Sequence, residues 1–357
     1  MNIFFHTEPL SNGHHVRGIG SYTRALMRAL ELQRDVSIID QTRTPPDVLV
    51  VDVIHYPYFD LFQHTLMVHD EIPTVVTIHD VIPLRFPNHF PAGIRGTIYK
   101  WIQTRKLAHV AAVLTDSESS KHDVMKYLHV PGYKIHVVRL GVSHGFTKRP
   151  SDKKAHERLE KRYQIQGRYM LYVGDVNWNK NIPGLLHAFA RIKSNRHSGI
   201  SDLQLVMVGS AFVTPGVREV KQIHALIGRL GLRDHVRMPG FVHEADLAAL
   251  YHGAFVYVQP SYYEGFGLPV VEAMASGVPV VSTNGGSLSE LSEGIAELVH
   301  PDPDGIYAGI LSVASYSPSH RRSVIHQGIE FSKQFSWKQT AIDTLAVYKQ
   351  VAHVITP

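Results

Sequence analysis

Short apolar runs rich in Val, Ile and Leu, each closed by a turn residue, recur through the 357 residues with helical patterns between them. The first series is NIFFH, DVSIID, VLVVDVIHY, PTVVTIHD, HVAAVLTDS and KIHVVRLG; the second is RYMLYVGD, LQLVMVGS, HVRMPGF, AFVYVQPS, VPVVSTN and AELVHPD. Runs that are continuously apolar read as strands buried on both faces, and segments such as SYTRALMRALEL supply the helical cover. Strand and helix in alternation predict parallel sheets of the α/β class. Two such series predict two Rossmann-like domains, in a chain too long for one ordinary core.

The stretch FTKRPSDKKAHERLEKRYQIQ, within 145–166, is charged and lacks a strand pattern, so it is expected to link a first domain at 1–150 to a second at 151–340. Ligands of open α/β sheets bind beyond the carboxyl ends of the strands, which makes a cleft between the domains the expected site. Hydrophobic content of 44% and charged content of 19% fit a soluble globular protein. No apolar run approaches the roughly 18 residues of a membrane span, and MNIFFHTEPL lacks the pattern of a signal peptide, so a cytoplasmic location is expected. The absence of cysteine excludes disulfides, thiol catalysis and thiolate metal sites. A net charge of +5 is ordinary, and without a basic block interleaved with aromatics nucleic acid is not an expected partner. The stretch GIRGTIYKWIQTRKL, 93–107, admits two readings: a solvated helix face, or a basic amphipathic helix resting on the inner face of a membrane.

The densest chemistry lies in EGFGLPVVE, 264–272, just after the run AFVYVQP. Strand, glycine loop and helix start make a site for a charged ligand, because Gly265 and Gly267 let backbone N–H groups approach an anion or sugar hydroxyls. Glu264 is expected at the mouth and Glu272 about two helical turns further in. In YVGDVNWNKNIPGLLHAFA, Lys180 stands at a helix entrance, where it meets phosphate as a point charge or remains an exposed loop lysine. His79 and Asp80 end the run PTVVTIHD, at the sheet end where ligands sit. Gly18 and Gly20 precede a helical pattern, but the third position of a dinucleotide fingerprint holds Thr23 and the first strand is about ten residues away, so NAD is not expected. Asp116, Ser117 and Ser119 read as caps and cleft lining. Asp302 and Asp304 spell Asp-x-Asp but read as a turn, and His14 and His15 are adjacent rather than at helical spacing, so no metal site is expected.

The segment PSYYEGFGLPVVEAMASGVPVVSTNGGSLSE resembles the donor-binding signature of retaining glycosyltransferases of family 4. The resemblance covers nearly the whole chain and is strongest over 172–290. It implies a GT-B fold, two Rossmann-like domains facing across a cleft, with a C-terminal helix at 341–357 packing back on the first. It implies that Glu264 orients sugar hydroxyls and supports positive charge on the sugar, that Glu272 holds the ribose, and that Gly265, Phe266, Gly267 and Leu268 line the donor. Lys180 would meet the donor diphosphate. Asp175 stands where the family commonly has an arginine, which leaves one diphosphate contact without its usual side chain; Arg139 is a candidate replacement. Gly209 and Gly240 would flank the base, Gly285 and Gly286 the diphosphate, and Gly18 and Gly20 the donor phosphate and acceptor. The string THDVIPLRFPNHFP resembles the family motif in which a histidine, here His79, contacts the donor sugar through ring or backbone carbonyl.

Members with GIGSYT-like, HDVIPLRFP-like and VGxxxxxKN-like strings are often mannosyltransferases. The implied activity is therefore transfer of a sugar with retention, first of all mannose from GDP-mannose, with UDP-glucose and other UDP-sugars as alternatives. The acceptor would be a hydroxyl of a glycan or lipid-linked molecule, and neither cofactor nor metal is expected. A nucleotide-sugar epimerase on the same fold and a non-catalytic sugar-nucleotide binding module are the rival readings.

Overall fold

A computed structural model describes residues 1–10, 18–40, 51–63, 65–147, 153–292 and 294–353. The chain divides into two compact units, one of residues 1–141 with 335–357 and the other of 142–334. The division falls earlier than the 150/151 boundary expected from composition, and the returning segment starts at Phe335 rather than at 341.

In the first unit, β1 (Asn2–Phe5), β2 (Ser37–Asp40), β3 (Val53–Tyr56), β4 (Thr74–Thr77), β5 (Ala112–Thr115) and β6 (Ile135–Val137) form one sheet in the order β2-β1-β3-β4-β5-β6. All its pairings are parallel, and β3, β4 and β5 are buried along their whole length, as continuous apolar runs require. Its helices are α1 (Gly18–Glu31), α2 (Ile82–Arg85), α3 (Gly93–Leu107) and α4 (Glu118–Leu128), the last capped by the Ser117 side chain, which accepts from the N–H of Ser120 at 3.0 Å.

In the second unit, α5 (His144–Thr147) and α6 (Lys153–Tyr163) precede a second sheet built from β7 (Tyr169–Val173), β8 (Gln204–Val208), β9 (Val236–Gly240), β10 (Val256–Gln259), β11 (Val280–Thr283) and β12 (Glu297–Val299). The order is β12-β11-β10-β7-β8-β9, again all parallel. The covering helices are α7 (Ile182–Ser194), α8 (Arg218–Arg229), α9 (Glu244–Gly253), α10 (Leu268–Ala275), α11 (Leu288–Ser292), α12 (Pro303–Ser315) and α13 (Pro318–Ser332). Ile182, Leu185, Leu186, Phe189 and Ile192 put one face of α7 into the core of this unit.

The segment expected to be a link is in large part helix α6, which packs on α9. Tyr163 donates to Asp246 at 2.9 Å, and Arg162 and Arg158 stand 3.3 and 3.6 Å from the same carboxylate. Charge alone suggested a linker, but a helix that spends its cations on a buried aspartate belongs to the domain it touches. The Asp-x-Asp turn is a helix cap: Asp302 accepts from Gly305 N–H at 2.7 Å at the start of α12, and Asp304 pairs with Arg191. His14 and His15 lie outside the described residues. Among the described residues no helix is long and apolar enough to cross a membrane.

The returning helix α14 (Trp337–His353) packs against α1 within the first unit. Buried Tyr22, Leu26, Ala29 and Leu30 on α1 and Ala341, Leu345 and Tyr348 on α14 recur at helical spacing, so each helix turns an apolar stripe inward. A buried polar chain fastens α14 to the sheet. The Tyr348 hydroxyl lies 2.6 Å from His55 Nδ1, His55 Nε2 lies 2.8 Å from Thr77 Oγ1, and Tyr22 Oη lies 3.0 Å from the same Thr77 oxygen. Burial, helped by nearby His6 and His79, drives the His55 pKa down to about 3, so the ring is neutral and each nitrogen has one partner. Tyr348→Phe is expected to leave a ring nitrogen unsatisfied and cost about 1–3 kcal/mol, measured by chemical denaturation. A loss below a few tenths of that would show that the chain does not fasten the helix.

Candidate active site

Strand β10 is buried from Val256 to Gln259, and beyond Pro260 the chain turns so that Glu264 forms an isolated parallel bridge with Gly286. Glu264 N–H donates to the Gly285 carbonyl at 3.3 Å, and Ser287 N–H donates to the Glu264 carbonyl at 3.2 Å. A Cβ on Gly285 would stand 2.1 Å from the Tyr262 carbonyl oxygen, and one on Gly286, at φ +68°, 2.3 Å from that of Glu264. Both glycines are therefore required by the contact between these two loops, before any ligand is considered.

This packing holds Glu264 inside, 6% exposed, rather than at a mouth. Its Oε1 accepts from Ser261 Oγ at 2.6 Å, Gln259 Nε2 at 3.0 Å and Lys180 Nζ at 2.8 Å, and its Oε2 lies 2.8 Å from the same ammonium. Gln259 is oriented in turn by the Tyr257 hydroxyl, which donates to its Oε1. Burial raises the Tyr257 and Tyr172 hydroxyl pKa values well above 10, and the charge of Glu264 adds to the effect, so these phenols stay neutral beside it.

Lys180 ends a short 3₁₀ turn, Trp178–Lys180, at the entrance to α7. Asn179 on one side donates from Nδ2 to the Tyr263 carbonyl at 3.0 Å and accepts from Tyr262 N–H at 2.7 Å through its own carbonyl. Asn181 on the other side, at φ +51°, caps α7 by accepting from Gly184 N–H at 3.2 Å and donates to the carbonyls of Pro260 at 2.9 Å and Pro301 at 2.6 Å. Trp178 stacks on Tyr262 with ring centroids 4.8 Å apart. Two loops distant in sequence are thus pinned on both sides of the Lys180–Glu264 ion pair. Glu264 takes two of the three ammonium N–H groups, leaving the third.

Gly265 and Phe266 follow Glu264 in buried positions, and Gly267, at φ +95°, begins α10 with Leu268 as its first residue. Because α10 starts only there, Glu272 is one helical turn in, not two. Its Oε2 accepts from the Tyr251 hydroxyl at 2.9 Å, and Tyr251 is fully buried. Burial pushes the Glu272 carboxyl from its ordinary 4.5 up to about 7; the Tyr251 hydrogen bond opposes this and the charge of Glu244 reinforces it.

Asp175 follows the end of β7 and accepts from the N–H of Val176 at 2.7 Å. Gly209 follows β8, where a Cβ would meet the Gly174 carbonyl oxygen at 2.1 Å, so neighbouring strand ends alone call for a glycine there. Gln259, Ser261, Asn179 and Asn181 are not among the site residues expected from sequence. Gln259 had a signal, a polar residue closing an apolar strand run, and the two asparagines flanked the lysine already singled out.

His79, Gly18, Gly20 and Arg139 belong to the first unit. His79 Nδ1 lies 2.7 Å from Asp116 Oδ2 and Nε2 lies 3.2 Å from the Pro57 carbonyl, two neighbours that only accept, so the ring that satisfies both carries two N–H groups. Burial pulls its pKa down, but the Asp116 charge and hydrogen bond, with Asp80 and the Pro57 carbonyl, outweigh it and the net direction is upward. Its backbone carbonyl accepts from Ser120 Oγ at 2.8 Å. Both routes expected for a sugar contact, ring and carbonyl, are therefore engaged within the protein. Gly18 and Gly20 lie in the first turn of α1 rather than in a loop before it. The Arg139 guanidinium lies 6.0 Å from the Phe335 ring centroid. Among the described residues no group of three or more His, Cys, Asp or Glu could hold a metal ion.

The family model described as Glycosyltransferase Family 4 matches residues 5–146, and that described as Glycosyl transferases group 1 matches 154–327. The chain is a group 1, family 4 glycosyltransferase. It is 28% identical over 400 aligned residues to the O-antigen chain mannosyltransferase B of Escherichia coli, covering 98% of this chain and 100% of that one. It is 33% identical over 258 residues to the MMP alpha-(1->4)-mannosyltransferase of Mycolicibacterium hassiacum, but spans only 57% of that protein. The Escherichia coli serotype-specific mannosyltransferase WbdA matches at 24%, with 38% of its length covered. Among solved structures, a sucrose-phosphate synthase from Thermosynechococcus elongatus superposes with a TM-score of 0.76 at 21% identity, over 99% of this chain and 100% of that one. Anabaena Alr3699/HepE, solved with UDP-glucose, gives 0.68 at 17%, over 99% of both chains.

The glycosyltransferase thus has the two Rossmann-like domains of the GT-B fold and moves a sugar from a nucleotide-sugar donor to an acceptor. The raised pKa of Glu272 makes its stability depend on pH. Between 4.5 and about 7 the folded carboxyl holds a proton that the unfolded chain has released, so the folded state binds more protons and stability falls as pH rises through that window. Glu272→Gln is expected to gain on the wild type across the same window, by on the order of 2 kcal/mol, in urea denaturation at a series of pH values. Parallel curves for the two proteins would mean that Glu272 ionises normally.

Proposed function

We propose that this glycosyltransferase is a retaining, metal-independent mannosyltransferase that takes mannose from GDP-mannose to a hydroxyl of a glycan or lipid-linked acceptor. The observation that carries the catalytic part is the Lys180–Glu264 pair, a cation and a buried carboxylate held together by a rigid loop clamp. The donor sugar is supported by the relatives named as mannosyltransferases, one of them covered along its full length.

As the glycosidic bond breaks, negative charge grows on the leaving diphosphate and positive charge on the sugar ring. The third Lys180 N–H meets the first, with the backbone N–H groups at the start of α10, and Glu264 supports the second. Glu272 takes the ribose hydroxyls, an interaction that favours its ionised form. Attack from the face of the leaving phosphate, which itself takes the acceptor proton, gives retention without a side-chain general base.

The deciding experiment incubates the enzyme with GDP- and UDP-sugars and a panel of glycan acceptors, with and without EDTA, and follows products by mass and NMR. Mannosyl transfer from GDP-mannose with an α linkage, unaffected by EDTA, is expected. A β linkage formed directly from the α donor would remove the retaining assignment, an absolute need for added Mg²⁺ or Mn²⁺ the metal-independent one, and an isomerised donor without acceptor would indicate an epimerase.

Substitution of Lys180 alone strands Glu264 as an unpaired buried charge and threatens the fold itself, by about 3–5 kcal/mol. Glu264→Gln is the cleaner probe, since an amide still accepts from Lys180 and Ser261 while losing its charge. Turnover is expected to fall roughly 100- to 1,000-fold, the scale of a lost transition-state charge partner, while calorimetry finds nucleotide binding unchanged or tighter. Wild-type turnover in this variant would dismiss Glu264 from the mechanism.

A further inference from the structure

Helix α3 is built inside out for a solvated element. Its inward positions are Gly96, which packs on Phe62, Leu107, and Gln103, which is fully buried and donates to the Asp60 carbonyl and the Thr65 hydroxyl, both at 3.2 Å. Near its end Lys106 donates to the Leu66 carbonyl at 2.7 Å, so polar as well as apolar contacts anchor this face. The outward stripe is apolar: Ile94, Ile98 and Trp101, spaced i, i+4, i+7, are 86%, 54% and 55% exposed. A solvated amphipathic helix has the reverse arrangement, apolar residues in and charges out.

Charge says what this stripe faces. Arg95, Lys100, Arg105 and Lys106 are the only ionised side chains in α3, whose own sequence holds no carboxylate. The Arg105 guanidinium lies over the Trp101 ring at 3.9 Å, directly on the stripe. An outward Trp and two isoleucines bordered by cations fit the boundary between acyl chains and anionic headgroups, where apolar side chains enter and guanidinium groups stay with phosphate. A second protein copy offering the same surface would bring like charges together.

We propose that the outer face of α3 is a docking surface for an anionic lipid bilayer, with Ile94, Ile98 and Trp101 inserted at the headgroup boundary and Arg95, Lys100 and Arg105 on lipid phosphates. The surface is independent of the donor site, so its failure would leave the transferase reading intact.

The test is co-sedimentation of the full chain with phosphatidylcholine vesicles, with and without phosphatidylglycerol, at low and high salt. Binding is expected on the anionic vesicles and to weaken with salt. Arg95→Gln and Arg105→Gln should each weaken it roughly fivefold. Ile98→Glu with Trp101→Glu should weaken it at least roughly tenfold. These side chains are exposed, so unchanged thermal unfolding is expected and would separate lost docking from lost folding. Brominated phosphatidylglycerol should quench Trp101, and Trp101→Phe should bind while losing that quenching. No binding at low salt, equal binding to neutral vesicles, or full binding by the Ile98→Glu, Trp101→Glu protein would each overturn the proposal. So would self-association in sedimentation that the same pair of substitutions abolishes, since the stripe would then serve a second copy.

Discussion

A carboxylate taken out of water is tolerated only where hydrogen bonds and an opposite charge replace its hydration, and Glu264 meets that requirement with Lys180, Gln259 and Ser261. Much else in the second unit follows from supplying those partners. The loops at 177–181 and 260–264 must be held in register to within a hydrogen-bond length, which Asn179 and Asn181 accomplish by spending their side chains on backbone groups of the facing loop. The loop at 285–287 must come closer to Glu264 than a Cβ allows, which selects two glycines. A set of residues that looks like a list of ligand contacts in sequence is first a set of constraints on one buried charge.

The first unit uses polar burial differently. Its chain of Tyr22, Thr77, His55 and Tyr348 contains no formal charge, because His55 is kept neutral, and it ties the returning helix to the sheet. His79 lies beside this chain, its ring edge-to-face with Tyr22 at 4.5 Å, yet it is driven the opposite way by the Asp116 carboxylate. Two histidines in one buried neighbourhood thus differ in charge preference because one faces a hydroxyl on each side and the other a carboxylate and a carbonyl. Any role of His79 toward a negatively charged ligand rests on that difference.

Among the described residues the twelve strands were legible in sequence, in order: inner strands such as β3, β4, β5, β10 and β11 because a strand buried on both faces must be apolar throughout, and the half-exposed edge strands β9 and β12 from short runs closed by turn residues. Lys180 and Glu264 were each legible beside a turn or helix start, and they meet in an ion pair. What sequence hid was depth and partnership. Glu264 was expected at a mouth and lies inside; Glu272 was placed two turns along a helix that begins only at Leu268. Gly209, Gly285 and Gly286 were read toward a ligand, whereas contacts between distant loops already demand them. The charged run at 145–166 misled for a related reason: composition cannot tell cations in water from cations gathered on Asp246.

On the proposed reading, the Lys180–Glu264 ion pair is shared once a donor arrives. A diphosphate on the third Lys180 N–H draws on the same positive charge as Glu264, so less of the carboxylate's charge is neutralised by the lysine and more of it faces the sugar. The exchange is cheap because Glu264 keeps Gln259 and Ser261 when Lys180 turns part of its hydrogen bonding to phosphate, so the carboxylate is never left bare. It is also geometrically tight, since the clamp of Asn179, Asn181 and the Trp178–Tyr262 stack fixes the lysine backbone and leaves only the side chain to move. Electrostatic catalysis depends on groups that need no reorganisation at the moment charge develops. A site lacking the arginine common at position 175 can meet that condition through the rigidity of one lysine, and the hydrogen bonds on both sides of Lys180 supply that rigidity.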